Sequence, residues 1–177
     1  MEVKAVFLDR DGTIIEDVNY LSRLEDVKLI KGTNEAIELL KNNGYKVIVV
    51  SNQSGVGRGY FTESFVRKTH EYINTLLNNK IDAFYFCPHK PEDNCSCRKP
   101  KTGMIDEAVK HFNIDKENSF VIGDKESDVE LGINAGITPI LVLSGYGRQY
   151  KDSTKAELIF ENLYEAAKWI CQKDSTA

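Results

Sequence analysis

Asp9 and Asp11, separated by Arg10 and followed by Gly12 and Thr13, put two carboxyl groups directly behind the apolar run Val3 to Leu8. On extended backbone, side chains two apart point the same way, so both carboxyls can share one site. Crowded like charges with partial desolvation divide such a pair into an ionised nucleophile and a protonated acid, roles that fall to Asp9 and Asp11 respectively. Gly12 permits a sharp turn behind them, and Thr13 can bond neighbouring amides. Asp124 supplies another carboxylate just after the run Phe120 to Ile122. Asp9, Asp11 and Asp124 together make an oxygen set for magnesium, which binds through one or two carboxylates plus phosphate and keeps several waters. Asp128, four residues on, is placed to hold a metal-bound water or to orient Lys125.

Cys87-Pro88-His89 and Cys95-Ser96-Cys97 form a CxHx5CxC array, three thiols and one imidazole in a short segment. That is a complete tetrahedral zinc set, and Cys95 and Cys97 stand too close to bridge each other readily. Four protein ligands leave no open position, so this zinc is expected to be structural. Folding a polar loop around a metal would fix Arg98 and Lys99, which follow at once. The rival reading is a zinc-finger nucleic-acid module with Arg98-Lys99-Pro100-Lys101 as its basic patch. Cys171 is expected to pack on its helix, and His70 and His111 to be solvated or capping residues.

These groups need a frame. Short apolar runs at Val3 to Leu8, Lys46 to Val50, Ala83 to Phe86, Phe120 to Ile122 and Pro139 to Leu143 read as five buried strands. Helical patterns fit Asn34 to Asn43, Thr62 to Asn79 with Thr62 as N-cap, Gly103 to Phe112, Ser127 to Ala135 and Asn162 to Gln172. The alternation predicts a three-layer, Rossmann-like α/β fold around a parallel sheet with right-handed crossovers. In such sheets ligands bind beyond the carboxyl ends of the strands, where Asp9, Ser51, Cys87 and Gly123-Asp124 fall. The loop Ser144 to Arg148, after the fifth strand, carries nothing obviously reactive.

The chain has 177 residues, 41% of them hydrophobic, and a net charge of -4. It is read as one domain spanning residues 1–177, with no export signal and no run long enough to cross a membrane. A cytoplasmic location follows, where structural disulfides are rare. The acidic balance argues against a nucleic-acid partner, which would require a surplus of Lys and Arg.

In this order and at these strand ends, Asp9, Asp11, Gly12, Thr13, Ser51, Lys99 and Asp124 resemble all four motifs of the haloacid dehalogenase superfamily. The resemblance implies attack by Asp9 on phosphorus to give an aspartyl phosphate. Asp11 would protonate the leaving oxygen and then deprotonate the hydrolytic water, as in the phosphatase branch. Ser51 and Asn52 would donate to phosphoryl oxygens, and Lys99 would neutralise Asp9 and the phosphoryl group. The motif spacing leaves no room for a separate cap domain, so the site is expected to be open.

At a finer level FLDRDGTI, SNQSGVGRGYFTE, CPH with CSCRKP, and GDKESD are similar to the D,D-heptose 1,7-bisphosphate phosphatases over nearly the whole chain. Histidinol-phosphate phosphatases share DRDGT, the zinc loop 87–97 and RKP. Matched by position, Asp17, Val18, Asn19, Tyr20, Ser51, Asn52, Gln53 and Ser54 would contact substrate. Arg98 would recognise it and Lys125 would touch phosphate or sugar. The five-residue spacer from His89 to Cys95 looks more like the histidinol type, whereas a second anion asks for cations such as Arg58, Arg98 or Lys125. The cation-rich rim favours a sugar bisphosphate, with histidinol phosphate as the alternative. A non-catalytic scaffold is a third reading, disfavoured by the intact Asp9, Asp11, Lys99 and Asp124. The chain is read as a monomer acting on a small phosphorylated sugar, with magnesium as catalytic and zinc as structural cofactor.

Overall fold

Ala5 to Leu8 is buried at all four positions, a pattern open only to a strand covered on both faces. The computed structural model describes residues 1–176. It builds one six-stranded sheet from β1 (Ala5–Leu8), β2 (Lys46–Asn52), β3 (Ala83–Cys87), β4 (Phe120–Gly123), β5 (Thr138–Val142) and β6 (Leu158–Phe160). The order is β3-β2-β1-β4-β5-β6, with every neighbouring pair parallel. The helices are α1 (Thr33–Asn42), α2 (Glu63–Leu76), α3 (Gly103–Phe112), α4 (Glu126–Ala135), α5 (Gly147–Tyr150) and α6 (Leu163–Ser175).

Alternation along the strands feeds two cores. Val6, Leu8, Val47 and Val49 pack with α1, α2 and α6 on one face of the sheet. Ala5, Phe7, Ile48 and Val50 pack with α3 and α4 on the other. Truncating one of these fully buried side chains, such as Leu8 or Ile48, to alanine should cost about 2–5 kcal/mol. Three layers around a parallel sheet are therefore what the sequence pattern predicts and what the fold contains. Among the described residues no cap domain stands over the strand ends.

The differences are local. A sixth strand, Leu158–Phe160, joins the sheet beside β5, and its three half-buried residues are too short a run to stand out in the sequence. β2 extends through Ser51 and Asn52, which thus belong to the strand instead of following it. Thr62 does cap α2, accepting from the Phe65 N–H at 3.0 Å, but the helix closes at Leu76. Asn78 and Asn79 take positive φ values beyond it. The four-residue helix α5 has no counterpart in the sequence reading.

Candidate active site

The end of β1 is tied to β4 by the Asp9 N–H, which donates to the Ile122 carbonyl at 3.0 Å. This puts Asp9 beside Asp124 at the middle of the sheet, where the strand order reverses direction and a crevice opens. Asp9, Asp124 and Asp128 are all buried, and each offers a carboxylate oxygen within 4.8 Å of the others. Lys99 enters this group from the far side of β2. Its ammonium donates to Asp9 Oδ1 at 2.9 Å, Asp128 Oδ1 at 2.7 Å and the Val50 carbonyl at 2.9 Å, using all three of its protons.

Electrostatics follow from that geometry. Burial works against charge on Asp9, but the Lys99 ammonium, by charge and hydrogen bond, holds its carboxyl below the usual range. Burial also opposes charge on Lys99, and Asp128 and Asp9 outweigh it, keeping the amine protonated. Burial and the nearby Asp9 charge push Asp124 up to about 9 and Asp128 up to about 6, Lys99 partly offsetting the second. Three carboxyl groups crowd one buried ammonium, so Asp124 keeps a proton that a divalent ion would displace.

Asp124 carries the more specific sign. Its Oδ2 accepts from the Tyr146 N–H at 2.9 Å, while Oδ1 is buried with no partner among the described residues. An orphaned buried carboxylate oxygen beside Asp9 fits a metal ligand. Backbone crowds this carboxylate on two sides. Gly12 and Gly145 both take positive φ, and a Cβ on either would run into Asp124. The Ser144 hydroxyl closes the arrangement by donating to the Gly12 carbonyl at 2.7 Å.

The structure distributes the expected residues unevenly. The side chain of Asp11 lies outside the Asp9, Asp124 and Asp128 group and is gripped instead by Arg10 and Gln53. Asp128 holds the Lys99 side chain, and its other oxygen accepts from the Lys125 N–H at 3.3 Å, so it does not orient the Lys125 ammonium. Ser51 is buried and accepts from Gln53 Nε2 at 2.7 Å. Both ends of the Asn52 amide engage the peptide of Lys99. The Thr13 hydroxyl is buried without a partner among the described residues, not bonded to neighbouring amides.

Above this floor lies a cleft of about 440 Å³ lined by Asp17, Asn19, Tyr20, Asn52, Gln53, Ser54, Arg98 and Lys125 among others. Val18 is exposed and is not part of its wall, nor is Arg58. Ser127 of α4 also lines it, with Gln149, Tyr150 and Tyr146, the last from the segment 144–148 that looked inert in the sequence. That segment acts largely through backbone N–H groups and aromatic faces, as where Lys125 sits 5.2 Å from the centre of the Tyr146 ring. His70, expected to be a solvated or capping residue, is instead buried against Phe84.

The cysteine and histidine loop closes on itself. Cys87 Sγ lies 3.5 Å from both His89 Nδ1 and Cys95 Sγ. Cys97 Sγ lies 3.4 Å from His89 Nδ1 and 3.7 Å from Cys95 Sγ. Ligands at about 2.3 Å from a tetrahedral zinc would stand about 3.8 Å apart, whereas a disulfide needs about 2.05 Å. The donor set and spacing fit zinc. The neighbouring cations take separate duties: Lys101 donates to the Cys95 carbonyl at 2.7 Å, Lys99 turns inward, and Arg98 reaches the cleft. Cys171 packs in the core away from this group, as expected.

Comparison with known proteins agrees with this geometry. A HAD-hydrolase-like family model matches residues 96–166. The D-glycero-beta-D-manno-heptose-1,7-bisphosphate 7-phosphatase of Haemophilus ducreyi is 37% identical over 96% of this chain and all of its own. The enzyme of the same name from Helicobacter pylori strain J99 is 41% identical over 94% of this chain and 97% of its own. Among solved structures, the D,D-heptose 1,7-bisphosphate phosphatase of B. bronchiseptica, complexed with magnesium and phosphate, superposes with a TM-score of 0.90. It is 29% identical, with 96% of this chain and 99% of that one covered. Fold and site thus define a phosphatase of the haloacid dehalogenase class. Within that class the chain belongs to the family of the heptose-1,7-bisphosphate 7-phosphatases.

Proposed function

We propose that the protein hydrolyses the 7-phosphate of D-glycero-D-manno-heptose 1,7-bisphosphate through an aspartyl phosphate on Asp9. The observation that carries this reading is the Lys99 ammonium 2.9 Å from Asp9 Oδ1, which keeps that carboxylate ionised at the floor of a cleft walled by Arg98 and Lys125. Asp9 attacks phosphorus, the bond from phosphorus to the sugar oxygen breaks, and that oxygen takes a proton from Asp11. Water, deprotonated by Asp11, then attacks the phosphoryl group and frees Asp9. Lys99 stabilises the charge on the transferring group throughout, and the Ser51 hydroxyl is the candidate donor to its oxygens.

Asp9 and Asp124, the latter through its unpartnered Oδ1, would hold magnesium, and Asp11 is a further candidate ligand. When bound, the ion supplies positive charge against the phosphoryl oxygens. Cys87, His89, Cys95 and Cys97 would hold a structural zinc that fixes the segment running into Arg98 and Lys99. Arg98 and Lys125, with Asp17, Asn19, Tyr20, Gln53 and Ser54, would bind the sugar and its second phosphate. Among the described residues, no helix is long and apolar enough to cross a membrane.

Histidinol phosphate is the second reading, kept by the short spacer between His89 and Cys95. Two cations at the rim, Arg98 and Lys125, suit a second anion better than a cationic substrate, even with Asp17 3.9 Å from the Lys125 ammonium. Phosphate release from both esters, measured in parallel with magnesium, decides between them: faster turnover of histidinol phosphate rejects the heptose assignment. Asp9→Asn should abolish turnover of either ester, and full activity in that variant excludes the covalent route.

A further inference from the structure

His70 sits on α2, behind the wall of the cleft, and the proposed chemistry leaves it without a task. Its ring is 4% exposed and stacks on Phe84 with centroids 4.6 Å apart, while Phe86 meets its edge at 5.8 Å. Its Nε2 lies 3.4 Å from Nη1 of Arg10. Burial, with the Arg10 charge, pushes His70 down to about 3, so the ring is neutral and Nε2 accepts from the guanidinium.

Arg10 is itself 2% exposed, an unusual position for a guanidinium. Its remaining donors converge on one group. Nε reaches Asp11 Oδ2 at 3.0 Å and Nη2 reaches Asp11 Oδ1 at 3.1 Å, a two-point grip on the carboxylate. Gln53 braces the same pair, accepting from Arg10 Nη2 at 3.3 Å and donating to Asp11 Oδ2 at 3.0 Å. A planar guanidinium fixed at one end by His70 therefore sets the plane and depth of Asp11 at the other.

We propose that His70 is a positioning residue, which holds Arg10 so that Arg10 aims the Asp11 carboxyl at the leaving oxygen. The proposal rests on Asp11 being the general acid of the reading above. A histidine on the apolar stripe of a helix would ordinarily only fill space, and stacking on Phe84 alone would need no polar partner. The acceptor on a buried, charged donor separates the two roles: without it Arg10 Nη1 loses its partner in an interior that cannot supply another.

A misaimed acid harms only esters that need a proton on departure. The test compares kcat/KM, which reports the first phosphoryl transfer, for the sugar phosphate and for 4-nitrophenyl phosphate, whose leaving group departs without help. His70→Phe keeps the stacking and removes the acceptor. It should lower kcat/KM for the sugar phosphate roughly 10- to 100-fold while changing the aryl ester little. His70→Gln, which can return an acceptor near the place of Nε2, should restore most of the loss. Should His70→Phe fail to fold, as judged by thermal melting, His70→Asn carries the same expectation, being polar but too short to reach Arg10. Equal losses on the two esters, or no rescue by glutamine, overturn the proposal. Asp11→Asn in the same comparison tests the underlying reading: if it too depresses both esters equally, Asp11 is not the acid and the proposal falls with it. If Asp11→Asn discriminates and the His70 variants do not, only the positioning role is lost.

Discussion

Asn52 holds Lys99 by both faces of its peptide, accepting from the Lys99 N–H at 2.9 Å and donating to the Lys99 carbonyl at 3.3 Å. A side chain expected at the phosphoryl group thus also brackets the end of β2 to Lys99, the lysine proposed for catalysis. Asn52→Ala should lower kcat about 10- to 100-fold by letting Lys99 drift. It should leave zinc content unchanged. Steady-state kinetics beside metal analysis check this, and an effect confined to KM would return Asn52 to direct substrate binding.

Stability should respond to pH in a direction set by Asp124. In metal-free protein, burial and the nearby Asp9 charge push its carboxyl up to about 9 and that of Asp128 up to about 6. Both lie above the ordinary carboxylate range, so the folded chain holds protons that the unfolded chain releases. Their contribution is fully present below about pH 4 and is lost as pH rises through those values. Asp9, held low by Lys99 against its burial, has the opposite sign and weakens the fold only in acid. Melting temperature without magnesium should therefore fall between pH 6 and pH 9. Added magnesium should raise it more at pH 8 than at pH 6, because the ion takes the place of a proton. Equal gains at both values would contradict the ligand assignment of Asp124.

Cys95→Ser should abolish binding of about one zinc per chain and disorder the loop while the sheet persists, since the loop touches only one of the two cores, at the edge formed by Cys87, Cys95 and Cys97. Activity should fall more than helix content does, because the loop leads directly to Lys99. Metal analysis, circular dichroism and turnover on one preparation would establish the order of losses. Wild-type activity in a zinc-free variant would leave the loop without its assigned purpose.

Gly145→Ala addresses the segment between β5 and α5. A Cβ at this positive-φ position meets the Asp124 carboxylate. The variant should weaken magnesium affinity about 10- to 100-fold, as expected for the partner shell of a metal ligand. Activity measured against magnesium concentration reads this out, with saturating metal restoring much of the rate.

The sequence reveals the polar groups that end strands and conceals those that act through backbone or through one another. Asp9, Asp124 and the CxHx5CxC array are legible because strand periodicity and metal-ligand spacing are both written in residue types. Asp128 reads as a helix-turn neighbour of Lys125, yet its bond to Lys99 joins the first turn of α4 to the loop after β3, distant in sequence. Tyr146 contributes an N–H, which any residue but proline offers. Arg10 resembles filler between two aspartates, and His70 one more member of a helical stripe. Only packing shows that the two meet. β6 escaped because three residues at a sheet edge carry too little pattern.

The strand order has a consequence for the making of the protein. β1 pairs with β2 on one side and with β4 on the other, Val6 lying opposite both Val47 and Phe120. A chain emerging from the ribosome can dock β1, β2 and β3 early, but one side of β1 stays bare until β4 has been synthesised. During that interval Val6, Phe7 and Leu8 present an unpaired apolar edge, the kind that recruits wrong partners. Asp9 stands at the end of the same edge, so the residue proposed as nucleophile is made before β4 and must wait for that strand before its surroundings are complete.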